Sequence, residues 1–295
     1  MPVPSAAVGH TTAPQVIEIT PRWTIAYAAG LGDTNPVYFD DASSTGIVAH
    51  PAFCVALEWP VALALRQHSL SRLTPLESLR GVHAAQDSTF HRPIRPGDRL
   101  RTVGTVVQVR PIRPGAFVLT KYETVDDTTD VPVVTSYAST IYRGIAVVGE
   151  EAQHEEAPAL PAVSHAEATS CDIPIPIARQ APHVYTECAR IWNPIHTERR
   201  VALEAGLPDI ILHGTATWAL AAGVLIHHCA AGDPTRLRRF IGRFTAMVIP
   251  GTTITVRCAQ AQYGGSSVAF RVCNAEGAAA ISGGVAVFAP AVHHP

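Results

Sequence analysis

Lysine is almost missing from this chain: Lys121 is the only one in 295 residues, and Arg supplies the other basic side chains in a total of 22. These are nearly balanced by 24 acidic groups, for a formal net charge of −2. The balance holds in both halves, with 12 basic and 13 acidic residues in 1–150 and 10 and 11 in the remainder. No basic stripe exists for a phosphate backbone to engage, so nucleic acid is not expected as a partner. Also missing is an unbroken apolar run of about 20 residues that could span a bilayer. The first residues lack a basic stretch followed by an apolar one, so a soluble, cytoplasmic protein with no membrane partner is expected. Cys54, Cys171, Cys188, Cys229, Cys258 and Cys273 form no Cys-x-x-Cys pair or zinc spacing. They read as buried free thiols. The fourteen histidines are dispersed, and the pairs His227-His228 and His293-His294 have no third ligand at a useful interval. No metal is expected.

What the chain does contain is a pattern written twice. Tyr185 to Gly214 carries Asn193-Pro194-Ile195-His196 and ends in His213-Gly214; Tyr27 to Pro51 carries Asn35-Pro36-Val37-Tyr38 and ends in His50-Pro51. Tyr precedes the Asn-Pro pair at the same interval in both. Thr89 to Leu100 and Arg243 to Ile254 repeat a second pattern, a strand closed by Pro-Gly and reopened by another strand. The chain therefore reads as an internal duplication, and its length suits two cores of roughly 100–150 residues.

The local signals agree. Gln15 to Ile19 alternates as a short strand, and Pro21 to Ala29 reads as a helix opened by proline. Pro51 to Gln67 is apolar at helical spacing, with Pro60 expected to kink it. Leu79 to Val147 is β-branched between turn signals at Pro96-Gly97, Pro114-Gly115 and Asp126-Asp127, which predicts antiparallel strands. Glu150 to Ser170 is acidic and Ala/Pro-rich, a linker by composition. Ala216 to His228 predicts a second helix starting at the Gly214 turn, and Arg239 to Phe288 a second strand set with turns at Pro250-Gly251 and Gly264-Gly265. The expected layout is a first domain at 1–149, a linker at 150–170 and a second domain at 171–295.

On these motifs the chain resembles the MaoC-like, or R-specific enoyl-CoA hydratase, family, whose signature runs Gly-Asp-x-Asn-Pro-x-His and, further on, His-Gly. The resemblance covers most of the chain and implies an α+β fold, a double hot dog whose two antiparallel sheets pair edge to edge and wrap a central helix each. It also implies a hydro-lyase in which the signature Asp and His act on water and the substrate α carbon, while the later Gly N–H holds the thioester oxygen. The signature is split between the copies. The first keeps Asp33, Asn35 and Pro36 but has Tyr38 for His and Pro51, which has no N–H, for Gly. The second keeps Asn193, Pro194, His196, His213 and Gly214 but has Ile191 for Asp and Arg190 for the preceding Gly.

The second copy is thus expected to carry the site. An imidazole such as His196 exchanges protons near neutral pH, which suits proton removal α to a thioester. Asn193 either orients His196 or closes its turn. Gly214 starts a helix whose unpaired N–H groups and dipole favour a developing enolate oxygen, or it is only a turn glycine. Glu187, one helical turn before Ile191, is a candidate replacement carboxylate; supply from Asp33 is the weaker option. Substrate-binding candidates are Arg190, Ile191, Trp192, His213 and the cluster Arg236, Arg239, Arg243, which either grips coenzyme A phosphates or forms a solvated rim.

The resulting expectation is a hydratase/dehydratase of an acyl thioester, most simply 2-enoyl-CoA and 3-hydroxyacyl-CoA, with no cofactor beyond the coenzyme A of the substrate. The first half would be a degenerate partner accommodating the acyl tail, and a homodimer of such chains stays open. Two other readings compete: a His-driven isomerase or dehydratase of a carrier-free metabolite, and a non-catalytic acyl-thioester binding module.

Overall fold

The computed structural model of the chain describes residues 2–69, 73–161, 170–259 and 267–290. The first half runs β1 (Val3–Pro4), β2 (Gln15–Glu18), α1 (Pro21–Gly30), α2 (Cys54–Ser69), α3 (Pro75–Ser78), β3 (Gly81–Phe90), β4 (Arg99–Ile112), β5 (Gly115–Asp126) and β6 (Pro132–Arg143). Short strands β7 (Val147–Val148) and β8 (Ala152–Gln153) follow. The second half runs β9 (Ser170–Pro176), α4 (Ala181–Ala189), α5 (Arg199–Glu204), α6 (Gly214–Ala230), β10 (Leu237–Phe244), β11 (Thr253–Ala259), β12 (Ser267–Cys273) and β13 (Ala279–Phe288). Among the described residues, no helix is long and apolar enough to cross a membrane.

Strand order makes the duplication visible. The main sheet has eleven strands and runs β2-β4-β5-β6-β3-β10-β13-β12-β11-β9, with β8 on β4; read from either end, equivalent strands come in the same order. At its centre β3 and β10 pair antiparallel, and Asp87 faces Ile241. Those two positions are equivalent when Thr89 is matched with Arg243, so a pseudo-two-fold axis passes there. The axis is marked again where α1 meets α4: Tyr27 and Tyr185, equivalent in the two motifs, share a hydrogen bond of 3.1 Å. Trp23 Nε1 donates to the Cys188 carbonyl across the same contact at 3.1 Å.

Burial follows from alternation. In β4 the inward positions Leu100, Thr102 and Gly104 are buried while the residues between them are partly exposed, the pattern of a sheet with one covered face. α2 packs on β4, and α6 on β10, β11 and β13. One apolar cluster, including Tyr27, Phe53, Leu57, Tyr185, Trp218, Leu225 and Phe240, runs through both halves, so they share a core.

The stretch after residue 150 departs in part from a plain linker. β8 pairs with β4, Lys121 Nζ donates to Glu155 at 3.2 Å, and Tyr137 donates to Glu155 as well. These polar partners hold an otherwise apolar-poor segment against the sheet. Residues 154–161 carry no regular structure, while 162–169 and the Gly264-Gly265 turn lie outside the described residues.

Candidate functional site

The two motifs take the same local path. Gly32 and Arg190 both follow a helix with positive φ, 69° and 58°, a left-handed helix end that glycine adopts freely. At Arg190 the unfavourable conformation is accompanied by stacking of the guanidinium on the Trp23 ring, 4.1 Å from its centroid. Pro36–Tyr38 and Pro194–His196 then form matching single turns, and Tyr38 and His196 are both buried. His50 and His213 precede the following helices with identical backbone angles, φ −56° and ψ 134°.

Side chains separate the copies. In the first, Asp33 accepts the Asn35 N–H at 2.9 Å, and Asn35 Oδ1 accepts the Val37 N–H at 3.2 Å. Isoleucine offers no acceptor at 191, and Asn193 makes no capping bond; its amide is among the groups that line a cavity. The turn-closing role left open by the sequence therefore belongs to Asn35 and not to Asn193.

His196 is held by its own backbone neighbourhood. Nδ1 lies 2.8 Å from the Ile211 carbonyl. A carbonyl only accepts, so Nδ1 carries the proton, and Nε2 of the neutral ring keeps a lone pair. Burial pushes the pKa down to about 4, opposed in part by the bond to Ile211, which makes the neutral base the form present at pH 7. The ring stacks on His213 at 3.7 Å. His213 is also held well below the ordinary imidazole range, first by burial and then by His196, and its Nε2 sits 3.1 Å from Thr186 Oγ1. Gly214 follows as the first residue of α6, where N–H groups lack helical partners. A Cβ there would stand 3.1 Å from the Phe244 ring, so a larger residue fits only if that ring shifts. Pro51 takes this place in the first copy.

Ile191, Asn193, His196, His213 and Gly214 all line one cavity of about 1020 Å³. Its other wall comes from the first half: Val55, Glu58, Trp59, Ala62, Leu65 and Arg66 on one face of α2, with β3, β5 and β6 beyond. In the first copy the corresponding space, lined by His50, Pro51, Phe90, Arg238 and neighbours, is about 20 Å³. There α6 closes directly on the motif: a Cβ at Gly223 would be 3.0 Å from Asp33 Oδ2, and Asn35 Nδ2 donates to the Gly232 carbonyl at 2.6 Å.

Several expected site residues lie elsewhere. Glu187 is exposed and does not line the cavity, because the turn after α4 points Ile191 inward in its stead. Arg239 forms a two-pronged ion pair with Asp87 at 2.8 and 2.7 Å, Arg236 binds the Ala289 carbonyl, and Arg243 is exposed. None of the three lines the cavity, and neither do Trp192, 58% exposed, and Arg190. Among the described residues the cavity's arginines are instead Arg66, Arg80 and Arg143 of the first half, and its one lining carboxylate is Glu58. No motif signals these, since only the pairing of β3 with β10 brings the two halves to one cavity.

A buried imidazole beside a helix N-terminus, opening on a cavity between the two halves, sits in an architecture that defines the class: a double hot-dog protein. Residues 164–272 match the MaoC like domain and residues 6–136 the FAS1-like dehydratase domain region. The chain is 24% identical over 286 residues to 3-hydroxyacyl-thioester dehydratase Y of Mycobacterium tuberculosis, covering 95% of each. It is 39% identical over 88 residues to the fatty acid synthase beta subunit pigK of Monascus ruber, a match spanning 30% of this chain but 4% of that much longer protein. The solved MaoC-like dehydratase of Phytophthora capsici superposes with a TM-score of 0.84 at 20% identity over 99% of both chains. The two halves thus match dehydratase-type domain models, one MaoC-like and one FAS1-like, and the chain has the fold of the solved MaoC-like dehydratase.

Proposed function

We propose that the chain interconverts a 3-hydroxyacyl thioester and a 2-enoyl thioester, most simply as coenzyme A esters, in the pocket headed by His196. The observation that carries the reading is the tether of His196 Nδ1 to Ile211, which leaves Nε2 as a base within a cavity of about 1020 Å³, roomy enough for an acyl chain. In the dehydration direction Nε2 takes the α proton, and the electron pair moves onto the thioester oxygen, where the Gly214 N–H stabilises it. Collapse of the enolate expels the β-hydroxyl, which takes the same proton from Nε2 and leaves as water. Hydration is the reverse. One base suffices because the proton is returned to the same face, so the missing carboxylate at Ile191 does not remove the chemistry. Asn193 orients the hydroxyl or water, and the α2 side of the cavity accepts the acyl tail.

A second reading is favoured by Ile191 alone: an acyl-thioester binding protein that has lost hydration. Incubation with crotonyl-CoA and longer 2-enoyl-CoAs separates the two. Turnover abolished in His196→Ala supports the enzyme; tight binding without turnover supports the binding protein.

A further inference from the structure

The cavity wall supplied by the first half carries three positive charges: Arg66 of α2, half-buried, and Arg80 and Arg143, both exposed at the rim. Elsewhere arginine is drawn into ion pairs, Arg92 with Asp98 and Asp126, Arg99 with Asp127, Arg239 with Asp87 and Arg257 with Asp172, whereas among the described residues Arg66, Arg80 and Arg143 have no such partner. Glu58 does not neutralise them. Its two oxygens accept from Gln86 Nε2 at 3.0 Å and Ser136 Oγ at 2.5 Å, and burial raises its pKa to about 7. It also precedes Arg66 on α2 by about 12 Å of helix rise.

The three residues meet around Tyr142. Burial raises the Tyr142 pKa, and Arg66 opposes the rise through its charge and a side-chain hydrogen bond. The same ring lies against the residue after Arg80, since a Cβ at Gly81 would be 2.8 Å from Tyr142 Cε1. The Arg143 N–H donates to the Arg80 carbonyl at 3.2 Å, and Arg80 Nη1 would be 3.7 Å from a Cβ at Gly144. Tyr142, Gly81 and Gly144 line the cavity too. The Arg66 guanidinium stacks on Trp59, 5.5 Å from the ring centroid, which engages a face and leaves the N–H edge for a ligand.

Two ring contacts lead towards this wall from Gly214: Phe244, 3.1 Å from the Cβ position there, and His83, whose ring centroid is 4.8 Å from that of Phe244. Burial, and next the charge of Arg66, pushes His83 down to about 4, so it adds no fourth charge. An alkyl terminus would cover cations without pairing them, at a cost, and an ammonium would be repelled. A carboxylate matches the guanidinium fork. The phosphates of coenzyme A are the other oxyanions of such a substrate, but they hang from the sulfur side of the thioester, whereas the α2 wall receives the acyl side.

We infer that Arg66, with Arg80 and Arg143 at the rim, forms a subsite for a carboxylate at the far end of the acyl chain. The substrate class is then an ω-carboxyacyl thioester and not a simple fatty acyl one. The inference rests on the acyl-thioester reading of the same cavity.

The test compares 2-enoyl-CoAs of increasing chain length with their ω-carboxy counterparts in the full-length protein. At the matching length the carboxylate is expected to raise kcat/KM at least about tenfold, since a site built to pair a polar group discriminates against its absence, and added salt should shrink that ratio by screening the rim charges. In Arg66→Gln the ratio, taken within the variant so that any general loss cancels, should fall to near one. The double variant Arg80→Gln/Arg143→Gln, at exposed positions, should lower it in part and serves if Arg66→Gln fails to fold. Pantetheine thioesters of the same acyl groups separate the two sources of oxyanion: the preference for the carboxylate should persist without the phosphates. A ratio near one in the unaltered protein at every length, a preference that survives all three substitutions, or variants that change only the ratio of CoA to pantetheine turnover overturns the subsite. If neither series turns over, the hydro-lyase reading falls separately, and dissociation constants of saturated acyl-CoAs with and without the terminal carboxylate decide the subsite: a tenfold preference sustains it and equal affinity overturns it.

Discussion

The two Asn-Pro loops share one backbone course, yet the second lines a cavity of about 1020 Å³, whereas the space beside His50 and Pro51 in the first copy is about 20 Å³. The first copy has the carboxylate, Asp33, 3.9 Å from His50, with α6 packed close against it at Gly223. The second has the room, the freed imidazole and the helix N-terminus, and no carboxylate. The difference lies in the helix that each loop meets. α6 comes down on Asp33 at Gly223, whereas α2 presents Glu58, Trp59 and Ala62 to the opposite cavity. On the proposed reading the duplication divides the work, one half furnishing the reacting groups and the other the wall that receives the chain.

The comparison breaks most readily at the imidazole. His196→Ala should lower hydration of any accepted enoyl thioester by at least about 10²-fold, the low end for a general acid/base, while Asp33→Asn should stay within about tenfold; steady-state kinetics on both reverse the account if the order is inverted. Installing the absent carboxylate sharpens it. Ile191 is buried, so Ile191→Asp should cost stability on the scale of a buried polar group, about 2 kcal/mol or more, and the folded fraction should gain hydration activity by up to about 10²-fold. No gain would mean that the pocket does not position water as the family signature implies. On the receiving wall, Ala62→Phe narrows the cavity from α2, and the ratio of long-chain to crotonyl-CoA turnover should fall by about tenfold, in line with apolar-pocket discrimination.

Proton linkage sharpens the comparison through pH. His196, lowered to about 4, should produce a single acid limb in kcat/KM centred near that value and a flat profile above it. Glu58 is shifted the other way, raised by burial to about 7. Its folded-state pKa lies above the unfolded one, so its contribution to stability is full below about 4.5 and lost as pH rises through 7, about 3 kcal/mol in all. The buried His50, lowered to about 4 by burial, acts oppositely and loses stability as pH falls from 6.5 towards 4. Glu58→Gln should therefore gain on the unaltered protein in thermal melts as pH is raised from 5 to 8, and a constant difference in Tm would contradict the assignment.

Most of the fold was legible because the chain states it twice: the interval from Tyr to Asn-Pro, the apolar helix and the Pro-Gly strand break recur in order, and Tyr27 does meet Tyr185 across the axis. That His196, His213 and Gly214 share one cavity was legible for the same reason, since they are neighbours in one motif. Glu187 and the arginines after α6 misled because helical spacing and local charge say nothing of direction. The left-handed turn at Arg190 carries Ile191 inward, and Asp87, far off in sequence, takes up Arg239. Glu58, Gln86 and His83 were invisible because their meaning depends on β3 joining β10, a long-range pairing that no local pattern encodes.

The most direct test of the division of labour is a crystal structure with a saturated acyl-CoA bound. The account predicts the thioester oxygen at the Gly214 N–H, the α carbon beside His196 Nε2, and the acyl chain running along α2 past Ala62 towards Arg66. A thioester seated between Asp33 and His50, with the His196 cavity unoccupied, would contradict it.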